Sequence, residues 1–152
     1  ECVNVRTCWV YGPHLPRLRM PRTFVEAALR GEPFHQPDGG DFAVDQVYID
    51  DTVQGVLLAL DKESHRYEAY NIATGVAPTL RDTANAVNRA IPGARVTVGD
   101  SGPYRHGGTV LSAIKGALDI SRAREELGYE PRFDLQKGIE ATIAATRAGP
   151  PH

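Results

Sequence analysis

The stretch ECVNVRTCWVYGP, residues 1–13, limits the possible folds more than any other part of the chain. Val3, Val5, Thr7 and Trp9 alternate against Asn4 and Arg6, the period of an extended strand. Apolar residues nevertheless fall on both faces, with Val3, Val5 and Trp9 on one and Cys2, Cys8 and Val10 on the other. A strand of that kind is covered on both sides, as in the interior of a parallel sheet, and is out of place at a solvent-facing edge. Residues 3–10 are therefore expected to form one strand that ends at the turn Tyr11-Gly12-Pro13 and needs neighbours.

The rest of the chain alternates strand and helix patterns, which points to an α/β layer arrangement. Pro21 fits a first-turn proline, Phe24, Val25, Ala28 and Leu29 form an apolar stripe, and Gly31 is a C-terminal stop. FAVDQVYI predicts a strand. DDTVQGVLLALDKES predicts a helix capped by Asp50, with Val53, Val56, Leu57 and Leu60 at helical spacing. YEAYNI and ARVTVGD predict strands, separated by a helix capped by Thr79 whose inward face is Leu80, Ala84, Val87 and Ile91. From Gly99 to about Lys115 no period is visible, and two closing helices are expected behind caps at Ser121 and Asp134. Four short strands among five helices make a thin sheet, a first sign that this domain belongs to something larger.

With 17 Lys plus Arg against 19 Asp plus Glu, the net charge of -2 offers no attraction to nucleic acid or anionic lipid. The two cysteines, six residues apart on one strand, would lie about 20 Å apart, too far to bridge. Two free thiols and no run of 18 apolar residues lead to the expectation of a cytoplasmic protein with no membrane partner.

RTCWVYGP, VYIDDTVQGVLLAL, YNIATG and ALDISRAREELGYEP, in this order and at these separations, resemble the C-terminal half of the extended short-chain dehydrogenases, the NAD-dependent epimerase/dehydratase family. The resemblance implies an α/β fold: the C-terminal part of a Rossmann-type NAD(P)-binding fold with its smaller substrate-binding lobe, the N-terminal Rossmann portion being absent. It divides a single domain into a late Rossmann strand and turn at residues 1–16, the lobe at 17–149 and a tail at 150–152. It implies NAD or NADP as cofactor, a sugar, sugar acid or nucleotide sugar as substrate, the missing Rossmann half as partner, and a possible homo-oligomer. No Gly-rich pyrophosphate turn occurs here, and none of the tyrosines is followed four residues later by Lys, so no catalytic residue is assigned. A non-catalytic binding or regulatory module built on the same lobe is the alternative.

The resemblance further implies that Thr7, Cys8 and the Val10-Tyr11 backbone line the nicotinamide end of the cofactor; otherwise they are ordinary strand residues. Trp9 stands where the family often carries a substrate-binding Asn, and would give an apolar wall with one N–H donor, or simply fill the core. Leu18, Arg19 and Met20 match a substrate-binding loop, within the basic run HLPRLRMPRTF whose His14, Arg17, Arg19 and Arg22 form either an anion site or a solvated turn. Val44 takes the place of a diphosphate-binding Arg, followed by Asp45 and by Gln46 as a candidate substrate contact; Arg105, beside His106, matches a second phosphate-binding position. Asp50 and Asp51 are read as helix-start residues, Arg122, Glu125 and Glu126 as a solvated face, and His35, His65 and His152 have no partners at metal spacing.

Overall fold

A computed structural model describes residues 2–16, 19–100, 102–106, 109–111 and 115–149. The opening segment is not one strand but two, β1 (Asn4–Arg6) and β2 (Trp9–Tyr11), interrupted at Thr7-Cys8. The interruption is a change of partner. β1 lies parallel to β5 (Ala69–Asn71), and the Ile72 N–H closes that ladder on the Arg6 carbonyl. Three residues later the Trp9 N–H has moved to the Asp45 carbonyl, and β2 runs parallel to β4 (Gln46–Tyr48). Both faces of the opening segment are apolar because its halves serve two different sheets.

Two further pairs complete the described strands. β3 (Phe34–Gln36), which has no signal in the sequence beyond one apolar residue, runs parallel to β6 (Val96–Val98). β7 (Tyr104–His106) and β8 (Thr109–Leu111) form an antiparallel hairpin inside the segment expected to be aperiodic.

Helix α1 (Arg22–Leu29) starts behind Pro21, and Gly31 takes a left-handed φ of 72° just past its end. Helix α3 (Leu80–Ala90) has the expected cap at Thr79, and Asp82 extends it to a capping box: the Asp82 N–H donates to Thr79 Oγ1 while the Thr79 N–H donates to Asp82. Its four expected inward residues are all buried. Helix α5 (Leu135–Ala148) is capped by Asp134, whose carboxylate accepts the Lys137 N–H at 2.8 Å.

Helices α2 (Ile49–Leu60) and α4 (Ser121–Leu127) differ from expectation. Asp50 does not cap α2; the capping position is Tyr48, and no side chain bonds the first turn there. The apolar stripe also faces outward, with Val53, Leu57 and Leu60 exposed at 48%, 53% and 73%. The buried face is instead Asp51, Gly55 and Ala59, because α2 lies so close to Ile72, just past β5, that a Cβ on Gly55 would stand 2.4 Å from Ile72 Cγ2. In α4, Ser121 is the first helical residue and Ile120 the capping position; Asp119 accepts the Ser121 N–H at 2.9 Å. Glu126 is no solvated residue either: it accepts the Arg66 N–H at 2.6 Å and has a side chain only 12% exposed.

The core divides into two clusters. The larger joins Tyr11 and Tyr48 to α1, α3, α5 and β6; the smaller joins Val3, Val5, Tyr70 and Ile72 to Ala59, α4 and Tyr129. They interleave along the chain, and the Thr7-Cys8 break is where the opening segment crosses from one to the other. No helix among the described residues is long and apolar enough to cross a membrane.

Candidate functional site

The break between β1 and β2 is held in place from below by Asp45. This carboxylate is fully buried and accepts four donors: the Thr74 N–H at 2.9 Å, the Thr74 hydroxyl at 2.6 Å, the Gly75 N–H at 2.9 Å and the Leu118 N–H at 3.2 Å. The arrangement fixes the loop leaving β5 against the start of β4, so the carboxyl ends of β1 and β5 are presented rigidly. Ligands of parallel sheets bind outside such strand ends. Asp45 was passed over in the sequence, although an acid between buried Val44 and Val47 is itself a signal, since a buried charge needs several donors.

Thr7 is exposed and Cys8 half-buried at this end, and burial pushes the Cys8 thiol above its ordinary pKa. Val10 is half-buried beside Val47. The Tyr11 side chain is turned away into the core, its hydroxyl buried with no hydrogen-bond partner among the described residues and its pKa raised by that burial. Only its backbone remains for a ligand.

Trp9 points toward the second candidate region. Its ring meets Phe42 at 5.6 Å and Tyr104 at 5.9 Å between centroids, and Phe42 meets Tyr104 at 5.4 Å, closing a triangle of three rings from three segments. Arg19 lays its guanidinium over Trp9, 5.8 Å from the ring centroid, and Met20 is buried beside it. Phe42 and Tyr104 had no motif to identify them; the triangle depends on a hairpin with no periodic signal.

The other expected contacts are less open. The Gln46 amide donates to Thr83 Oγ1 at 2.9 Å and is buried, although the residue borders a mostly apolar cleft of about 370 Å³ with Val76, Pro78 and Phe133. Arg105 is exposed and pairs with Asp38 at 3.5 Å, and Val44 is fully buried. Leu18 and Arg17 lie outside the described residues. The basic turn is dispersed: Arg22 pairs with Glu26 at 2.5 Å and also donates to the Leu15 carbonyl, while Arg19 turns to Trp9. Asp51 is fully buried and accepts the Arg132 and Phe133 N–H groups at 3.0 Å each, latching the approach to α5. Among the described residues no three His, Cys, Asp or Glu side chains converge as metal ligands.

The fold as a whole is similar to that of solved enzyme structures. Residues 1–73 match the NAD dependent epimerase/dehydratase family. Similarity to individual enzymes extends over nearly the whole chain. The UDP-glucose 4-epimerase of Mycolicibacterium smegmatis is 28% identical over 146 residues, covering 94% of this chain and 44% of the relative. The dTDP-4-dehydro-6-deoxyglucose reductase of Escherichia coli is 31% identical over 103 residues, covering 68% of this chain and 30% of the relative. Among solved structures, the UDP-glucose 4-epimerase of Thermotoga maritima with UDP-glucose is 31% identical, with a TM-score of 0.76, over 95% of this chain and 45% of that one. The Thermus thermophilus UDP-glucose 4-epimerase complex with NAD is 27% identical, with a TM-score of 0.75, over 97% and 47%. The chain thus spans less than half the length of these relatives.

Proposed function

We propose that this chain is the C-terminal, substrate-binding part of an NAD-dependent enzyme acting on a nucleotide sugar or related sugar, and that hydride transfer requires a nucleotide-binding half outside these residues. The observation that carries the reading is the parallel pair β1–β5. Asn4 and Arg6 bond toward β5, so the N–H and C=O of Val5 point to the opposite side, where no described strand meets them. Parallel pairs belong to wider sheets. A Rossmann half supplying the next strands would satisfy that edge, and matching relatives are about twice as long as this chain.

The chain's own residues fit one end of the dinucleotide only. Thr7 and Cys8, with the backbone of Val10 and Tyr11, stand at the carboxyl end of β1 where a nicotinamide would lie, whereas no glycine-rich turn is present for the pyrophosphate. Bound there, NAD would accept and return a hydride. The substrate would rest against Trp9, Arg19 and Met20, with Leu18, Gln46 and Arg105 as further contacts. General-base chemistry would come from a Tyr-Lys pair in the other half.

The test is the parent reading frame and its product. A Gly-rich strand-turn-helix and a Tyr-x-x-x-Lys upstream of Glu1, with turnover of a UDP-sugar by the complete product and NAD, are expected. A frame lacking both, or a complete product that binds neither NAD nor a UDP-sugar, would overturn the reading.

A further inference from the structure

Asp45 and Asp51 are both fully buried, but only one of them has a counter-charge. Asp51 has the Arg132 guanidinium at 3.7 Å beside its two N–H donors. Asp45 has four neutral donors, two from Thr74 and one each from Gly75 and Leu118, and no cationic side chain among the described residues within ion-pair distance. Neutral donors satisfy its oxygens and leave its charge standing, and a charge in the interior acts more strongly on its surroundings than the same charge in water. An unbalanced buried charge is costly unless something positive is brought to it.

The charge lies under the Thr7-Cys8 break. The Trp9 N–H donates to the Asp45 carbonyl at 3.1 Å and Trp9 is in register with Gln46, so one step back along the parallel strands Cys8 stands beside Asp45, about 4.8 Å away between backbones. The Cys8 thiol responds to it: burial first and then the Asp45 charge push that thiol above its ordinary pKa, and the opposing charge of exposed Lys115 has the smaller effect. Between these two side chains the field at the break is negative. A nicotinamide ring is positive when oxidised and neutral when reduced, because the hydride it accepts cancels its charge.

We infer that the buried Asp45 carboxylate biases the redox state of the cofactor, its uncompensated charge beneath the Thr7-Cys8 break favouring the oxidised, cationic nicotinamide over the reduced, neutral one. The inference rests on the reading above, which lays the ring against Thr7 and Cys8. Asp45 touches neither cofactor nor substrate and acts through space, so it is a positioning residue. Its consequence is a site at rest with an oxidised ring, one that takes a hydride from the substrate and readily gives it back.

The complete product of the parent frame is titrated with NAD+ and, separately, with NADH, and the ratio of the two dissociation constants is read. Asp45→Asn is expected to move that ratio about fivefold or more toward NADH. A purely structural loss would weaken both nucleotides together and leave the ratio where it was. Thr74→Val, which removes one hydroxyl donor and keeps the carboxylate, is expected to leave the ratio unchanged. Lys115→Gln removes the opposing charge from an exposed position and should move the ratio toward NAD+, which decides the matter should Asp45→Asn not fold. The 152-residue chain gives a second readout: in a Cys2→Ser background, the pH profile of Cys8 alkylation should shift to lower pH in Asp45→Asn. A ratio unchanged in folded Asp45→Asn, or in Lys115→Gln where the first variant does not fold, overturns the inference and leaves the substrate-binding reading intact. A complete product that binds neither nucleotide overturns both.

Discussion

Tyr11 and Gly138 compete for the same space: a Cβ added at Gly138 would stand 1.8 Å from the Tyr11 hydroxyl oxygen. That oxygen is buried and has no hydrogen-bond partner among the described residues. The glycine in α5 is therefore kept for contact with β2, despite a helix-propensity cost of about 1 kcal/mol. Gly138→Ala is expected to lose about 1–3 kcal/mol through overpacking. Tyr11→Phe should be neutral or slightly stabilising, since it removes an unsatisfied polar atom. The double variant should recover part of the Gly138→Ala loss. Urea unfolding of the four proteins gives the coupling directly, and additive losses would show that the two residues do not share that space.

The adjacent acids at the start of α2 should behave oppositely. Asp51 accepts two backbone N–H groups of the 132–133 segment while fully buried, whereas Asp50 is exposed and bonds nothing in the first turn. Asp51→Ala leaves two part-buried N–H donors without their buried acceptor and should cost about 1–3 kcal/mol. Asp50→Ala should stay within about 0.5 kcal/mol of the parent. Thermal melts of the two variants decide the matter, and equal losses would contradict the latch.

The capping box of α3 carries a pH signature. Hydrogen bonds from the Thr79 side chain and backbone hold the Asp82 carboxyl below its ordinary pKa. Because the folded value lies below the unfolded one, the stabilisation is fully present above the unfolded carboxylate range and is lost as pH falls through the folded value. Thr79→Ala should cost about 1 kcal/mol near neutrality and lose less further stability on acidification than the parent does. A series of melts from neutral to acid pH tests this, and parallel pH profiles for the two proteins would refute it.

The fold was legible wherever one local signal acted alone. Thr79 with Asp82, Asp134 and the Leu80-Ala84-Val87-Ile91 stripe each carry their own cap or period, and the structure uses them as written. In α2 two signals conflict. The larger apolar residues look like the buried face, but only Gly55 and Ala59 are small enough to bring the helix onto Ile72, so close approach decides the orientation. The β1–β2 break is invisible locally because it depends on where β4 and β5 lie. At the candidate site, Trp9 and Arg19 stood out in the chain, whereas Phe42 and Tyr104 become partners only through tertiary contact.

The β1 edge and the outward stripe of α2 belong to one prediction. An edge strand with free backbone groups and an exposed apolar helix face both favour association. β1 is paired on one side only among the described residues, and Val53, Leu57 and Leu60 lie uncovered on the helix packed against Ile72. The isolated chain should therefore self-associate with rising concentration, and Leu57→Glu with Leu60→Lys should weaken that association while leaving the melting temperature near the parent's, because both side chains are already exposed. Sedimentation velocity measures the first effect, and amide hydrogen exchange adds a second. In the dissociated chain residues 4–6 should exchange faster than the centre of α2, since an edge strand opens more easily than a helix interior. A monomer at high concentration whose β1 amides are as protected as those of α2 would show that the strand is already satisfied within this chain, and the case for a missing sheet half would lose its structural basis.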